Sequence, residues 1–544
     1  MSAATTAGGA SPARAGAATL VLLTLASGQF LMTLDSSVMN VSIATVAADV
    51  GTTVTGIQGA ITAYTLVMAA LMITGAKIGA LIGRKRAFAI GCVIYGCGSF
   101  TTAIAPTLPV LLFGWSLLEG IGAALILPAI VALVAGNFPQ DRRPAAYGLV
   151  AAAGAVAVAV GPLIGGFCTT YFSWRWVFAG EVVLVLVILV LTRRIADAPA
   201  GERPGLDLVG TALSAAGLGM LVFGVLRSSE WGWIQPKAGG PAWLGISPTL
   251  WLILAGIFVM WVFSRWEVRQ VERGKEPLVR PGLLRNRQLS GGLLMFFFQY
   301  LVQAGVFFVV PLYLSVCLGL SALDTGVRLL PLSVTLLAAA IGIPRFLPNV
   351  SPRLVTRIGL FALLAGALVL LGGLDPDAGA EIVLVPMLLI GLGIGALASQ
   401  LGSVTVSAVP DDQSPEVGGV QNTMTNLGAS MGTALAGSVM IAAVTTAFLA
   451  NINQSQAIPA EAKSQAQVEL AGGVPFISDA DLEAALEDAG ASPESTEAAR
   501  TAYAGARIDG LENALAILAL LALVAQFFAQ RIPTVQPAAA ARDG

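Results

Sequence analysis

The sequence contains no histidine. The one side chain that titrates near neutral pH without help is therefore missing, and any proton this chain handles must travel on carboxylates. The commonest metal ligand goes with it, and the four cysteines, Cys92, Cys97, Cys168 and Cys317, have no metal-like spacing. Each falls in or beside an apolar run, where cysteine acts as a small hydrophobe. Charge is also scarce: Asp, Glu, Lys and Arg make up 11% of the 544 residues, against 56% hydrophobics. A soluble chain carries about 25% charged residues, so this one cannot cover its surface with groups that water solvates. No glycine-rich phosphate loop followed by Lys and Ser or Thr occurs, which leaves no means of doing work with ATP. No Ser/His or metal constellation stands out either, so neither an enzyme, a cofactor, a bound metal nor a nucleic-acid partner is expected.

What the sequence does have is apolar runs. A helix crosses the hydrocarbon with roughly 20 apolar residues, and fourteen such runs lie between charged or Pro/Gly breaks. The expected fold is thus an all-α membrane protein. Residues 1–16 read as a tail, 17–194 as six spans, 207–266 as two more, 289–530 as a further six, and 531–544 as a second tail. With both termini in the cytoplasm, 22 of the 29 Lys and Arg fall on the cytoplasmic side and seven on the other. That bias favours a multi-pass protein of the cytoplasmic membrane with both ends inside. One long external loop, 451–508, holds nine acidic and three basic residues. Within it "SDADLEAALEDAG" has a capping serine, early acids and a terminal glycine, the marks of a short surface helix.

The chain also repeats itself. Shifted by 271 residues, Gly120, Gly122, Pro139, Asp141, Pro144, Gly148, Gly161 and Gly166 fall on Gly391, Gly393, Pro410, Asp412, Pro415, Gly419, Gly432 and Gly437. Spans four and five thus match spans twelve and thirteen in the same orientation. The shift of eight spans implies two six-helix halves in parallel repeat with two helices inserted between them. Such duplication about an axis along the membrane normal is a transporter architecture, with substrate held between the halves.

In span five, "GAVAVAVGPLIGG" packs four glycines and a proline into an uncharged run. In lipid, small residues let helix backbones approach closely. With "LDSSVMNVSIA" (34–44), "SWRWVF" (173–178), "GVRLLPL" (326–332) and "QNTMTNLGASMGTALAG" (421–437), it resembles the major facilitator superfamily, specifically its fourteen-span drug:proton antiporters. The resemblance implies that Gly154, Gly161, Pro162, Gly165 and Gly166 form the antiporter motif, and that Gly83, Arg84 and Lys85 belong to a cytoplasmic gating loop. Two departures are visible. In "AKIGALIGRK", Ala80 and Leu81 stand where the family carries Asp and Arg, so its charge relay there is weakened or replaced. In span four the family's Arg-x-x-Gln-Gly becomes "SLLEG", with Ser116 for the arginine and Glu119 for the glutamine.

Carboxylates inside a membrane are costly and mark function by default. Asp35, Glu119 and Glu181 are therefore expected to couple protons; the structural alternative is a protonated glutamate hydrogen-bonded to a neighbouring helix or paired with Arg175. Polar stripes mark where substrate is expected. Gln299 and Gln303 share a face beside Phe297 and Tyr300, and Asn422, Asn426 and Ser430 form an i, i+4, i+8 line. Together with Asp35, Asn40 and Glu119 these would face one cavity, and aromatics plus a carboxylate suit lipophilic cations. The expected function is proton-coupled export of lipophilic, cationic drugs or toxic compounds by a monomer. Export of a lipid, siderophore or other metabolite, and a membrane sensor that no longer transports, stay open as alternatives.

Overall fold

The computed structural model describes residues 12–138, 143–197, 205, 207–237, 240–409, 414–470 and 473–536. The first eleven and last eight residues, and the paired loops 139–142 and 410–413, lie outside the described residues. The membrane helices are α1 (Pro12–Asp49), α2 (Val54–Ile82), α3 (Arg84–Ala103), α4 (Leu108–Asn137), α5 (Arg143–Tyr171), α6 (Arg175–Thr192), α7 (Leu208–Trp231) and α8 (Pro248–Glu272). They continue with α9 (Arg287–Cys317), α10 (Ala322–Phe346), α11 (Pro352–Gly373), α12 (Leu384–Val406), α13 (Ser414–Gln454) and α14 (Pro493–Phe528). Thirteen of them are long and apolar enough to cross a membrane. α3 is the more polar exception, opening on Arg84, Lys85 and Arg86, yet it packs between α4 and α6 like any other span. α1 begins at Pro12, inside the stretch expected as tail.

The sequence repeat is visible in the packing. α1 lies on α5 as α9 lies on α13, α2 on α4 as α10 on α12, and α3 on α4 and α6 as α11 on α12 and α14. The repeated glycines explain why. A Cβ on Gly122 would lie 2.8 Å from the Gly91 carbonyl oxygen, and one on Gly393 would lie 2.6 Å from that of Gly359. Each half is thus closed by a crossing of two glycines that no side chain fits between. The halves meet through two equivalent pairs, α2 with α13 and α5 with α10, while α7 joins the bundle against α2 and α13 and carries α8 beside it.

With fourteen helices running back and forth, the start of α1 and the end of α14 share one end of the bundle, and the long loop between α13 and α14 lies at the other. Contacts between α5 and α10 lie toward the loop end. Gly326 backs onto the carbonyl of Pro162, Gly166 onto Ala322 and Leu323, and the Leu323 amide donates to Thr170 Oγ1 at 3.1 Å. Toward the termini end of α5, nothing lies within 4 Å of where a Gly148 Cβ would sit. The two halves are therefore sealed at the loop end of this helix pair.

The loop is folded onto the bundle. Its helix Asp479–Asp488 starts at Ser478, whose hydroxyl accepts the Asp481 amide at 3.2 Å, and the chain turns away at Gly490, φ +72°. Arg507 of α14, only 3% exposed, donates to the Ile477 carbonyl at 3.0 Å and pairs with Asp479. Tyr503 donates to the Pro475 carbonyl at 2.6 Å and accepts the Ile477 amide at 2.9 Å. Arg507→Met would leave the Ile477 carbonyl without this donor and Asp479 without its ion pair, and about 2 kcal/mol of stability is expected to go with them. The check is a lower melting temperature for the purified variant in detergent, with protease cutting first between residues 473 and 490.

Candidate functional site

Three carboxylates meet inside the N-terminal half. Asp35 on α1, Glu119 on α4 and Glu181 on α6 are each buried, and one carboxylate oxygen of each lies within 4.8 Å of the others. The local fold that brings Glu119 there is unusual. Between Leu112 and Glu119 the α4 backbone widens into a π-helical turn, a feature that often accompanies function. Gly98 of α3 makes room, because a Cβ there would lie 2.6 Å from Glu119 Cγ and 2.7 Å from the Gly114 carbonyl. The π turn also aims Trp115 at Asp35, its indole N–H donating at 2.8 and 3.0 Å to the two oxygens.

Hydroxyls serve the other two acids. Tyr95 and Ser99 donate to Glu181 Oε2 at 3.2 and 3.1 Å, and Thr102 reaches Glu119 Oε1 at 3.2 Å while also bonded to the Gly98 carbonyl. Glu119 Oε2 and Glu181 Oε1 are buried without a hydrogen-bond partner. Among the described residues none of the three acids forms an ion pair. The alternative pairing of Glu181 with Arg175 is not seen: Arg175 pairs with Asp49, donates to the Ala105 carbonyl at 2.7 Å and stacks on Trp174. The vacated arginine position is filled by Ser116, whose hydroxyl donates to the Ala60 carbonyl of α2 at 2.8 Å.

Beside this cluster, between the halves, lies a cavity of about 200 Å³. α1 lines it with Gln29, Thr33, Ser36, Ser37 and Asn40, and α2 with Tyr64 and Thr65. α9 contributes Tyr300, Gln303 and Phe307, and α13 contributes Asn422, Thr425, Asn426 and Thr433. Trp115 closes one wall, its ring stacked on Tyr64 at 5.2 Å between centroids. Five expected residues, Asn40, Tyr300, Gln303, Asn422 and Asn426, thus meet at the cavity.

Five others do not. Asp35 is fully buried and sits behind Trp115 rather than on the wall, and Glu119, also fully buried, is off the wall too. Ser430 spends its hydroxyl across the interface, donating to the Thr62 carbonyl at 2.9 Å. Gln299 is buried in the C-terminal half with its Oε1 unpartnered, and Phe297 packs edge-on against Phe298. Of the α1 wall only Asn40 was expected; Gln29, Thr33 and Ser37 were missed, although with Asn40 they recur at the three- and four-residue spacings of one helix face.

The glycine-rich motif of α5 serves two neighbours. Gly154, Gly161 and Gly165 face Gln29, Ser37 and Val38 of α1, whereas Gly166 and the Pro162 carbonyl face α10. In the loop after α2, Gly83 turns with φ +99°, a backbone that favours glycine. Arg84 donates to the Ala76 carbonyl. The acid missing at Ala80 has a counterpart in space: Asp197, beyond α6, accepts the Lys85 amide at 2.9 Å, and Lys85 Nζ reaches the Arg193 carbonyl at 3.3 Å.

Comparisons with known proteins agree with this architecture. The family model described as Major Facilitator Superfamily matches residues 25–433. A puromycin resistance protein of Streptomyces alboniger is 31% identical, over 80% of this chain and 84% of its own. A probable actinorhodin transporter of Streptomyces coelicolor is 30% identical, over 80% and 74%. A tetracenomycin C resistance and export protein of Streptomyces glaucescens is 28% identical, over 84% and 82%. Among solved structures, a bacterial homologue of the human lysosomal transporter Spinster, inward-facing and unoccupied, superposes with a TM-score of 0.59 at 14% identity, over 96% of this chain and 98% of that one. A family of transporters, not enzymes, accounts for the two halves, the inserted pair and the cavity alike: the chain belongs to the major facilitator superfamily, as a multi-pass membrane transporter of small molecules related to drug and antibiotic exporters.

Proposed function

We propose that the protein is a proton-coupled antiporter of the cytoplasmic membrane, expelling lipophilic drug- or antibiotic-like compounds as protons flow in. The observation that carries this reading is the trio Asp35, Glu119 and Glu181, packed within 4.8 Å and walled off from water. Three negative charges at that spacing in a medium of low dielectric repel one another strongly, and among the described residues no cationic side chain pairs with them. Protons neutralise them most simply, and their number can change as the halves rock. The seal at the loop end fits a cytoplasm-facing cavity, given the positive charge gathered on the side of the termini. One chain supplies both halves and the whole cavity, so a monomer suffices. The expectation of a cationic cargo draws no support from the cavity wall and is not part of this reading.

The test is export into inside-out proteoliposomes under an imposed gradient. An acidic interior should drive uphill accumulation of a fluorescent drug, and a sodium gradient at equal pH should drive none. Accumulation under sodium alone would make the trio a sodium site instead.

A further inference from the structure

Among the described residues, the cavity wall includes no Asp, Glu, Lys or Arg. Its nearest charges, those of the trio, lie behind the stacked Tyr64 and Trp115 rings, and the indole N–H already occupies both oxygens of Asp35. Several of its polar groups are engaged within their own helices. Asn40 Nδ2 donates to the Ser36 carbonyl at 2.8 Å, Asn426 Nδ2 to the Asn422 carbonyl at 2.8 Å, and Gln29 Nε2 to Thr33 Oγ1 at 3.3 Å. Each of these amides thus commits one of its two N–H groups within its own helix. Gln303 Oε1 is buried on the wall without a partner, and Asn40 and Asn426 line the same space. A buried acceptor left unmatched costs free energy until a donor meets it.

We infer that the cargo is an uncharged aromatic compound bearing hydroxyl donors, recognised by these amides between the rings of Tyr64, Trp115, Tyr300 and Phe307, at a place physically separate from the proton-binding trio. This rests on the transport reading above and adds to it the class of cargo and the separation of the two sites. A cation entering the cavity would shed its water with no counter-charge to meet it, and ring faces alone compensate such a loss poorly. A phenolic or alcoholic hydroxyl meets the waiting Gln303 oxygen with no charge to bury. The coupling then runs through Trp115, which touches cargo on one face and holds Asp35 through its N–H.

Equilibrium binding to the full chain in lipid nanodiscs tests this without any gradient, so a failure of proton coupling leaves the result readable. Three probes suffice at pH 6.5: resveratrol, neutral with three hydroxyls; its trimethyl ether, the same rings without donors; and ethidium, a permanent cation. Saturable resveratrol binding is expected, with the ether and ethidium each weaker by about tenfold or more, as one buried hydrogen bond or one unpaired charge dictates. Gln303→Leu and Asn426→Leu should each raise the Kd for resveratrol about tenfold, while both variants elute as monodisperse protein. Because the three-probe comparison uses only the wild type, misfolding of a variant does not remove the test. Equal binding of the ether, tighter binding of ethidium, or no binding of resveratrol would each overturn the proposal.

Discussion

Glu119→Gln loses uphill transport while the protein still folds and still equilibrates cargo across the membrane. The substitution keeps the shape of the side chain, and Gln can still accept from Thr102, whose hydroxyl lies 3.2 Å from Oε1. What it removes is the ability to take and give a proton. Glu119 sits on the π turn beside Trp115, so a change of charge there bears on the residue shared with the cavity. Gradient-driven accumulation should fall about 100-fold or more, the scale on which removing a proton-transfer group acts. Exchange of labelled for unlabelled cargo at equal pH should persist within a few-fold. Loss of both activities together would mean that Glu119 is structural; retention of both would place the exchanged proton elsewhere.

The second large effect concerns the seal between the halves. Gly326 of α10 lies so close to the Pro162 carbonyl of α5 that no Cβ fits, and the Thr170 hydroxyl is bonded one turn away. Gly326→Val would force α10 off α5 at the loop end. The obstacle is backbone, which cannot swing aside like a long side chain, so overpacking of about 3 kcal/mol or more is expected against the closed form. Populations should shift toward a form open at the loop end. A thiol-reactive probe applied from that side should label Ser37→Cys readily in the Gly326→Val background and slowly without it. Transport should be largely lost. Unchanged labelling would show that α5 and α10 do not form the outer gate.

The sequence made some of this legible and hid the rest for physical reasons. The spans could be read because hydrocarbon thickness fixes run length, and α3 emerged despite its polarity because the basic "GRKR" start bounds it. The parallel halves were readable from Gly122 and Gly393, since each crossing tolerates only glycine. Which polar stripe faces cargo was harder to see. Ser430 and Asn426 share a helix face by spacing, yet Ser430 meets a neighbouring backbone and Asn426 meets the cavity. Periodicity names a face but not the neighbour it faces. Asp35 misled for the same reason: it shares a segment with Ser36 and Asn40, which reach the cavity, but it points toward Trp115. That partner depends on the π turn of 112–119, for which the residues carry no distinct pattern. Asp197 stands near Gly83 only because the four spans between them fold back on themselves, which no local motif announces.

The central claim is that cargo moves in exchange for protons held on Asp35, Glu119 and Glu181, and the reverse reaction tests it most directly. Proteoliposomes are loaded with cargo at equal pH inside and out, diluted into cargo-free medium of weak buffering, and followed with a trapped pH indicator. In the wild type, outward cargo flow should carry protons inward and acidify the interior. In the triple variant Asp35→Asn, Glu119→Gln, Glu181→Gln, cargo should leave with no change in interior pH. Acidification that persists in the triple variant, or cargo efflux from wild-type vesicles without any proton movement, would contradict the account.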